Sequence, residues 1–256
     1  MENRYIDVFE DNAIAVVTLK RAEKRNALNI VLMDQLCEAF VQLQRSQCRV
    51  VIISAEGAVF CAGLDLLEAA NPALEEKTAE HVARLLTTIY TSPLVTIAAV
   101  QGDALGGGGG LAAACDLVLM AQEAKIGFPE VRRGLVAAQV STIVMRQISM
   151  RYVRELFLTG EPVTAVRALQ MGLINKVVKG TELLDEAMRL AQSVVKGAPG
   201  AIKITKNLIG EFFPRNFSTD LQHALALHHA IRQSAEAKEG IAAFLEKRPP
   251  NWQIAL

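Results

Sequence analysis

Leu94-Val-Thr-Ile-Ala-Ala-Val100, Gln101-Gly-Asp-Ala-Leu105, Gly106-Gly-Gly-Gly-Gly110 and Leu111-Ala-Ala-Ala-Cys115 follow one another without a break. The first seven residues are an apolar run that predicts a buried strand. The glycines predict a bend over Gly102–Gly110 leading into a small helix at Leu111–Ala114. Leu117–Ala121 is strand-like again. Upstream, Arg49–Ser54 is a second short β-branched run, and Glu75–Thr91 reads as the helix between the two buried strands. Earlier still, Ile6–Phe9 and Ala13–Leu19 predict two strands joined at Asp11-Asn12. Asn29 is placed to cap a helix through about Ser46, with Val31, Leu32, Leu36, Phe40 and Leu43 as its apolar stripe. Strands alternating with helices imply an α/β architecture with mostly parallel strands.

After about residue 137 the pattern becomes helical, over Arg151–Leu158, Ala165–Met171, Leu183–Lys196, Ile202–Phe213 and Asp220–Leu245. Ile174–Val178 is one late strand. Gly197-Ala-Pro-Gly200 interrupts the helices and sets a soft boundary, giving a core over 1–197 and a helical region over 198–256. The Ala- and Leu-rich C-terminal helices, with His223, His228 and His229, are of a kind that packs against another subunit.

The chain of 256 residues holds 27 Lys+Arg and 27 Asp+Glu, is 51% hydrophobic and 21% charged. That composition is globular and excludes a disordered chain. Balanced charge argues against nucleic acid as the main partner but leaves room for a few cations on one phosphorylated ligand. Cys37, Cys48, Cys61 and Cys115 show no C-x-x-C spacing and read as reduced thiols in a cytoplasmic protein. No secretory signal, membrane span or metal-ligating cluster is expected.

Three segments exceed what a core requires. Phe60-Cys-Ala-Gly-Leu-Asp-Leu66 follows a buried strand with residues small enough for a ligand to approach the backbone, although a tight turn explains it equally. Gln101–Gly110 opens a helix, whose first N–H groups stabilise negative charge. A dinucleotide loop would want G-x-G-x-x-G at the first βα turn, which this is not. Gly127-Phe-Pro-Glu-Val-Arg-Arg-Gly134 holds Glu130 next to a rigid Pro129.

Taken together with Arg21-Ala-Glu-Lys-Arg-Asn-Ala-Leu-Asn29, Ala-Cys-Asp-Leu after the glycines, and the tail Glu239-Gly-Ile-Ala-Ala-Phe-Leu-Glu-Lys-Arg-Pro249, these motifs resemble the enoyl-CoA hydratase/isomerase (crotonase) superfamily in order and across almost the whole chain. The resemblance implies a crotonase-like (ClpP/crotonase) spiral of ββα units with a helical C-terminal subdomain, a homotrimer or hexamer, and a CoA thioester as substrate with no separate cofactor. It assigns the backbone N–H groups of Ala62 and Gly107 to an oxyanion hole and Glu130 to proton transfer. It places CoA near Lys24, Arg25, Ala27, Ala62, Gly63, Leu64, Asp65, Leu66 and Gly106, and has Lys247 reach the CoA of a neighbouring subunit. For the lysines and arginines a solvated role stands beside this one. Arg132 and Arg133 either lower the pKa of Glu130, bind an acidic substrate tail or face water.

One position breaks the pattern. Members with two catalytic glutamates carry the other at the position of Gly110. Chemistry then favours a double-bond shift, which needs one carboxylate. Gly109–Asp116 and Arg133–Ser141 instead resemble a bacterial methylglutaconyl-CoA hydratase-like branch that also carries glycine there. Hydration of a 2-enoyl-CoA, branched or carboxylated forms included, is the leading expectation. A Δ3,Δ2-enoyl-CoA isomerase is its rival, and a CoA-binding protein without catalysis stands as a third.

Overall fold

The computed structural model describes residues 4–211 and 217–251. β1 (Ile6–Asp11) and β2 (Ile14–Leu19) form an antiparallel hairpin, with Asn12 turning the chain at φ 54°. α1 (Ile30–Leu43) starts where Asn29 accepts a hydrogen bond from the Leu32 N–H. It buries Leu32, Leu36, Phe40 and Leu43. Val31 faces outward, 41% exposed. At 100° per residue it falls far round the helix from Leu36, so it does not belong to the expected stripe.

The body of the chain repeats one unit three times. β3 (Val50–Ala55) and β4 (Val59–Cys61) precede α2 (Leu66–Ala69) and α3 (Glu75–Tyr90). β5 (Val95–Val100) and β6 (Asp103–Leu105) precede α4 (Gly107–Ala113). β7 (Leu117–Ala121) and β8 (Lys125–Gly127) precede α5 (Ala138–Gln147) and α6 (Met150–Thr159). β9 (Val163–Thr164), α7 (Ala165–Met171), β10 (Lys176–Val178), α8 (Leu183–Val195), α9 (Pro199–Glu211), α10 (Phe217–Arg232) and α11 (Ala235–Leu245) complete the order.

The first strand of each unit joins a six-stranded sheet, β1-β2-β3-β5-β7-β10, parallel from β2 onward. The second joins a four-stranded sheet, β4-β6-β8-β9, in which β9 alone runs antiparallel. This is the ββα spiral. β5 is buried at every position, between β3 and β7 in the sheet and beneath α8, which is why it reads as a continuous apolar run. The short strands β4, β6, β8 and β9 and the helix α5 carry no such run, and sequence reasoning missed them.

Two boundaries also move. α4 begins at Gly107, so the glycines expected as a bend form the helix's first turn. Asp220–Leu245 is two helices, divided where Ser234 caps α11 by accepting from the Ala237 N–H. Of the expected helix Ile202–Phe213, the end at Phe213 lies outside the described residues. α10 packs on α3 and α5, and α11 packs on the 3₁₀ turn Pro129–Arg133. All four cysteines are free and buried. Among the described residues no helix is long and apolar enough to cross a membrane.

Candidate active site

The motif Arg21–Asn29 works mainly as scaffolding. Arg25 and Asn26 both sit in the left-handed region, at φ 53° and 52°. Fully buried Asn26 holds that turn by donating to the carbonyls of Glu56 and Val59, each at 2.9 Å, while its own oxygen accepts from the Arg21 N–H. Arg21 pairs with Asp65 at 2.7 Å and donates to the Ala27 carbonyl at 2.9 Å. Asp65 also accepts from the N–H groups of Leu67 and Glu68, capping α2. Its carboxylate is therefore committed to the fold even though Asp65 lies on the cavity wall.

This bracing fixes which amides are free. The Ala62 N–H donates to the Arg25 carbonyl at 3.0 Å, so it is unavailable to a ligand and the expected role of Ala62 as a donor fails. Gly63 turns the chain at φ 96°, a conformation suited to glycine, and brings the next amide round. Leu64 is locked on either side, with the Leu28 N–H donating to Gly63 O at 2.8 Å and the Asp65 N–H to Leu28 O at 2.9 Å. The Leu64 N–H itself has no partner among the described residues, and neither does the Gly107 N–H at the start of α4. A Cβ built on Gly107 would stand 3.8 Å from the Leu64 nitrogen. A Cβ on Gly63 would stand 3.4 Å from the Gly107 nitrogen. The two free donors are Leu64 and Gly107, side by side.

Glu130 stands against the same bend. A Cβ on Gly106 would come 2.9 Å from Glu130 Oε1, and Gly106 also needs its positive φ of 54° to start α4. Glu130 Oε2 is buried and has no hydrogen-bond partner among the described residues. Burial pushes the Glu130 carboxyl up to about 7, against the opposing pull of its own backbone N–H and the Arg133 charge. Protonated and ionised forms are then both populated near neutrality, which suits a group that takes and returns one proton.

Glu130, Leu64 and Gly107 share one cavity of about 580 Å³. Every residue expected at the CoA site lies on its wall: Lys24, Arg25, Ala27, Ala62, Gly63, Leu64, Asp65, Leu66, Gly106 and Lys247. Lys24, Arg25 and Lys247 are exposed on its rim. Lys247 borders this chain's own cavity. The reason is how closely α11 docks. A Cβ on Gly240 would come within 2.1 Å of the Arg133 carbonyl oxygen, and one on Gly134 within 2.3 Å of the Glu236 carbonyl oxygen.

Arg132 and Arg133 part ways. In a 3₁₀ turn residues three apart are eclipsed, so Arg133 projects with Glu130. Arg133 lines the cavity and lies over the Phe244 ring at 4.7 Å. Arg132 pairs with Glu161 at the surface. Gln139 and His228 also line the cavity, and His228 was missed as a site residue because nothing in the sequence says that α10 reaches it. Burial pulls His228 down to about 4 and keeps it neutral. Among the described residues no group of three or more His, Cys, Asp or Glu is placed to hold a metal.

The enoyl-CoA hydratase/isomerase family model matches residues 10–254. The chain belongs to the enoyl-CoA hydratase/isomerase family. It is 38% identical over 249 residues to a Thermus thermophilus protein named as an enoyl-CoA hydratase, covering 95% of this chain and 98% of that one. It is 31% identical to the methylmalonyl-CoA decarboxylase of Escherichia coli, covering 98% and 99%. The solved enoyl-CoA hydratase from Mycobacterium avium superposes with TM-score 0.88 at 30% identity, over 98% of this chain and 99% of that one. Within this family, Gly110 is fully enclosed, and the side chain of Val140 fills the space a glutamate there would enter.

Proposed function

We propose that this chain adds water to a 2-enoyl-CoA, with Glu130 as its one acid and base. The carrying observation is the convergence of two unpartnered N–H groups and one unpartnered carboxylate oxygen on a single cavity. The thioester oxygen accepts from Leu64 and Gly107. Water oxygen bonds to C3 as Glu130 takes a water proton, the electron pair moves onto the thioester oxygen, and Glu130 delivers its proton to C2. The net change is addition of one water molecule. Each preorganised donor contributes about 3–4 kcal/mol to lowering such a barrier. Lys24, Arg25 and Lys247 supply positive charge for the CoA phosphates.

A Δ3,Δ2 double-bond shift is the second reading, favoured by the single uncommitted carboxylate on the cavity wall. Glu130 then takes a proton from C2 of a 3-enoyl-CoA and returns it to C4, and no water is added. A homotrimer or hexamer in the cytoplasm completes the proposal, checked by light scattering and by cell fractionation.

The experiment is turnover of crotonyl-CoA and 3-hexenoyl-CoA by wild type and Glu130→Gln. A loss of roughly 10²–10⁴-fold in kcat is expected in the variant. Undiminished turnover would remove Glu130 from the reaction.

A further inference from the structure

The two readings above differ in whether water reaches the bound acyl group, and one side chain stands where that is decided. A Cβ built on Gly110 would meet Val140 Cγ2 at 2.6 Å, Cγ1 at 3.2 Å and Cβ at 3.4 Å. Gly110 itself does not line the cavity, whereas Val140 does. The vector from Gly110 therefore runs through the Val140 isopropyl group to reach the cavity. Val140 is buried at 4% exposure on the first turn of α5, and α4 packs directly on α5.

Among the described residues the surrounding wall offers water no second uncommitted carboxylate. Two carboxylates line the cavity, and Asp65 is bound to Arg21 and to the start of α2. Gln139, next to Val140, has its amide nitrogen on the Ala79 carbonyl at 3.1 Å, and its buried amide oxygen, without a partner among the described residues, can accept from water but cannot act as a base. Ala79, Val82, Ala137 and Ala138 make up the neighbouring wall in apolar atoms. A water beside Glu130 in this region has one carboxylate partner where a glutamate at 110 would give it two.

We infer that Val140 sets the balance between water addition to a bound 2-enoyl-CoA and the double-bond shift of a 3-enoyl-CoA, by filling the volume through which a side chain at 110 would hold water. Gly110 and Val140 act as a pair: the small residue exists because the branched one occupies its space. The inference rests on the proposed chemistry of Glu130, Leu64 and Gly107.

The test compares wild type, Val140→Ala, Val140→Gly, Gly110→Glu and the double variant Gly110→Glu/Val140→Gly, each checked for folding by thermal melting. Turnover of 3-hexenoyl-CoA in ¹⁸O-water, read at equal conversion, gives the ratio of labelled 3-hydroxyacyl product, made by onward hydration, to 2-enoyl product, and crotonyl-CoA gives hydration alone. Val140→Gly is expected to raise the ratio roughly tenfold, with Val140→Ala between it and wild type. Gly110→Glu alone is expected to lose activity and stability because its side chain has nowhere to go. The double variant is expected to recover, and to hydrate crotonyl-CoA roughly 10²-fold faster than Val140→Gly. An unchanged ratio in both Val140 variants overturns the inference. So does a single Gly110→Glu variant that hydrates as well as the double one. Failure of the underlying reading looks different: Glu130→Gln would keep full turnover while the Val140 variants still altered the products.

Discussion

The two walls of the cavity are made differently. One is backbone: the free amides of Leu64 and Gly107, turned into place by Gly63 and Gly106 and braced by the loop Arg21–Asn29. The other is side chain: Val140, Gln139, His228, Arg133 and Phe244, brought together from α5, α10, the 129–133 turn and α11. The contrast separates two tasks. Stabilising charge on a thioester oxygen needs donors that do not move, and peptide groups locked by hydrogen bonds serve that end. Choosing what happens to the carbons next to it needs shape, which side chains supply.

The largest expected effect breaks the backbone wall. Gly107→Pro deletes one free N–H at the first position of a helix, where proline is tolerated. It should lower kcat by about 10²–10³ with little change in melting temperature, as read by steady-state kinetics beside calorimetry. A large melting shift would instead mean that Gly107 serves the fold. Next comes the brace. Asp65→Ala leaves Arg21, whose side chain is 8% exposed, without its partner, and should destabilise the protein by about 3 kcal/mol in urea unfolding.

Glu130 sharpens the comparison through stability. Its carboxyl titrates at about 7 in the fold against an ordinary 4.5, so the folded state holds its proton more tightly than the unfolded chain does. Stability contributed by this group is present below pH 4.5 and is lost as pH rises through 7. Glu130→Gln should therefore be more stable than wild type at pH 8, by on the order of 3 kcal/mol, and level with it at pH 4. The smallest effect tests the side-chain wall. Arg133 lowers the Glu130 pKa, so Arg133→Leu should move the acid limb of the pH–rate profile upward, and Arg133→Lys should restore much of it. A limb that stays put in both variants would leave Arg133 a packing residue only.

These differences also explain what the sequence could tell. Buried strands such as β5 announce themselves, because an all-apolar run has few other readings. The cavity's backbone wall was legible as a place, since small residues and glycines mark where main chain must be approached. Of its two donors Gly107 was legible and the other was not. Ala62 and Leu64 lie two positions apart in the same small-residue motif, and only the bond from Ala62 to Arg25 O shows which amide is already used. The first turn of α4 escaped because glycine has poor helix propensity, which packing against Cys61, Phe128 and Val140 overrides. α5 escaped because Val140, Thr142, Ile143 and Val144 read as β-branched residues, and its neighbours decide otherwise. The side-chain wall is assembled from contacts distant in sequence, so no local pattern encodes it.

The interlocked glycines Gly134 and Gly240 give the molecule an order of assembly. The turn bearing Glu130 is synthesised long before α11 arrives to seat against it and lay Phe244 beside Arg133. A chain leaving the ribosome therefore has the residues of its spiral and its amide pair out before the helix that closes the chamber. Until that helix docks, the cavity lacks the wall that Phe244, Leu245 and Lys247 supply.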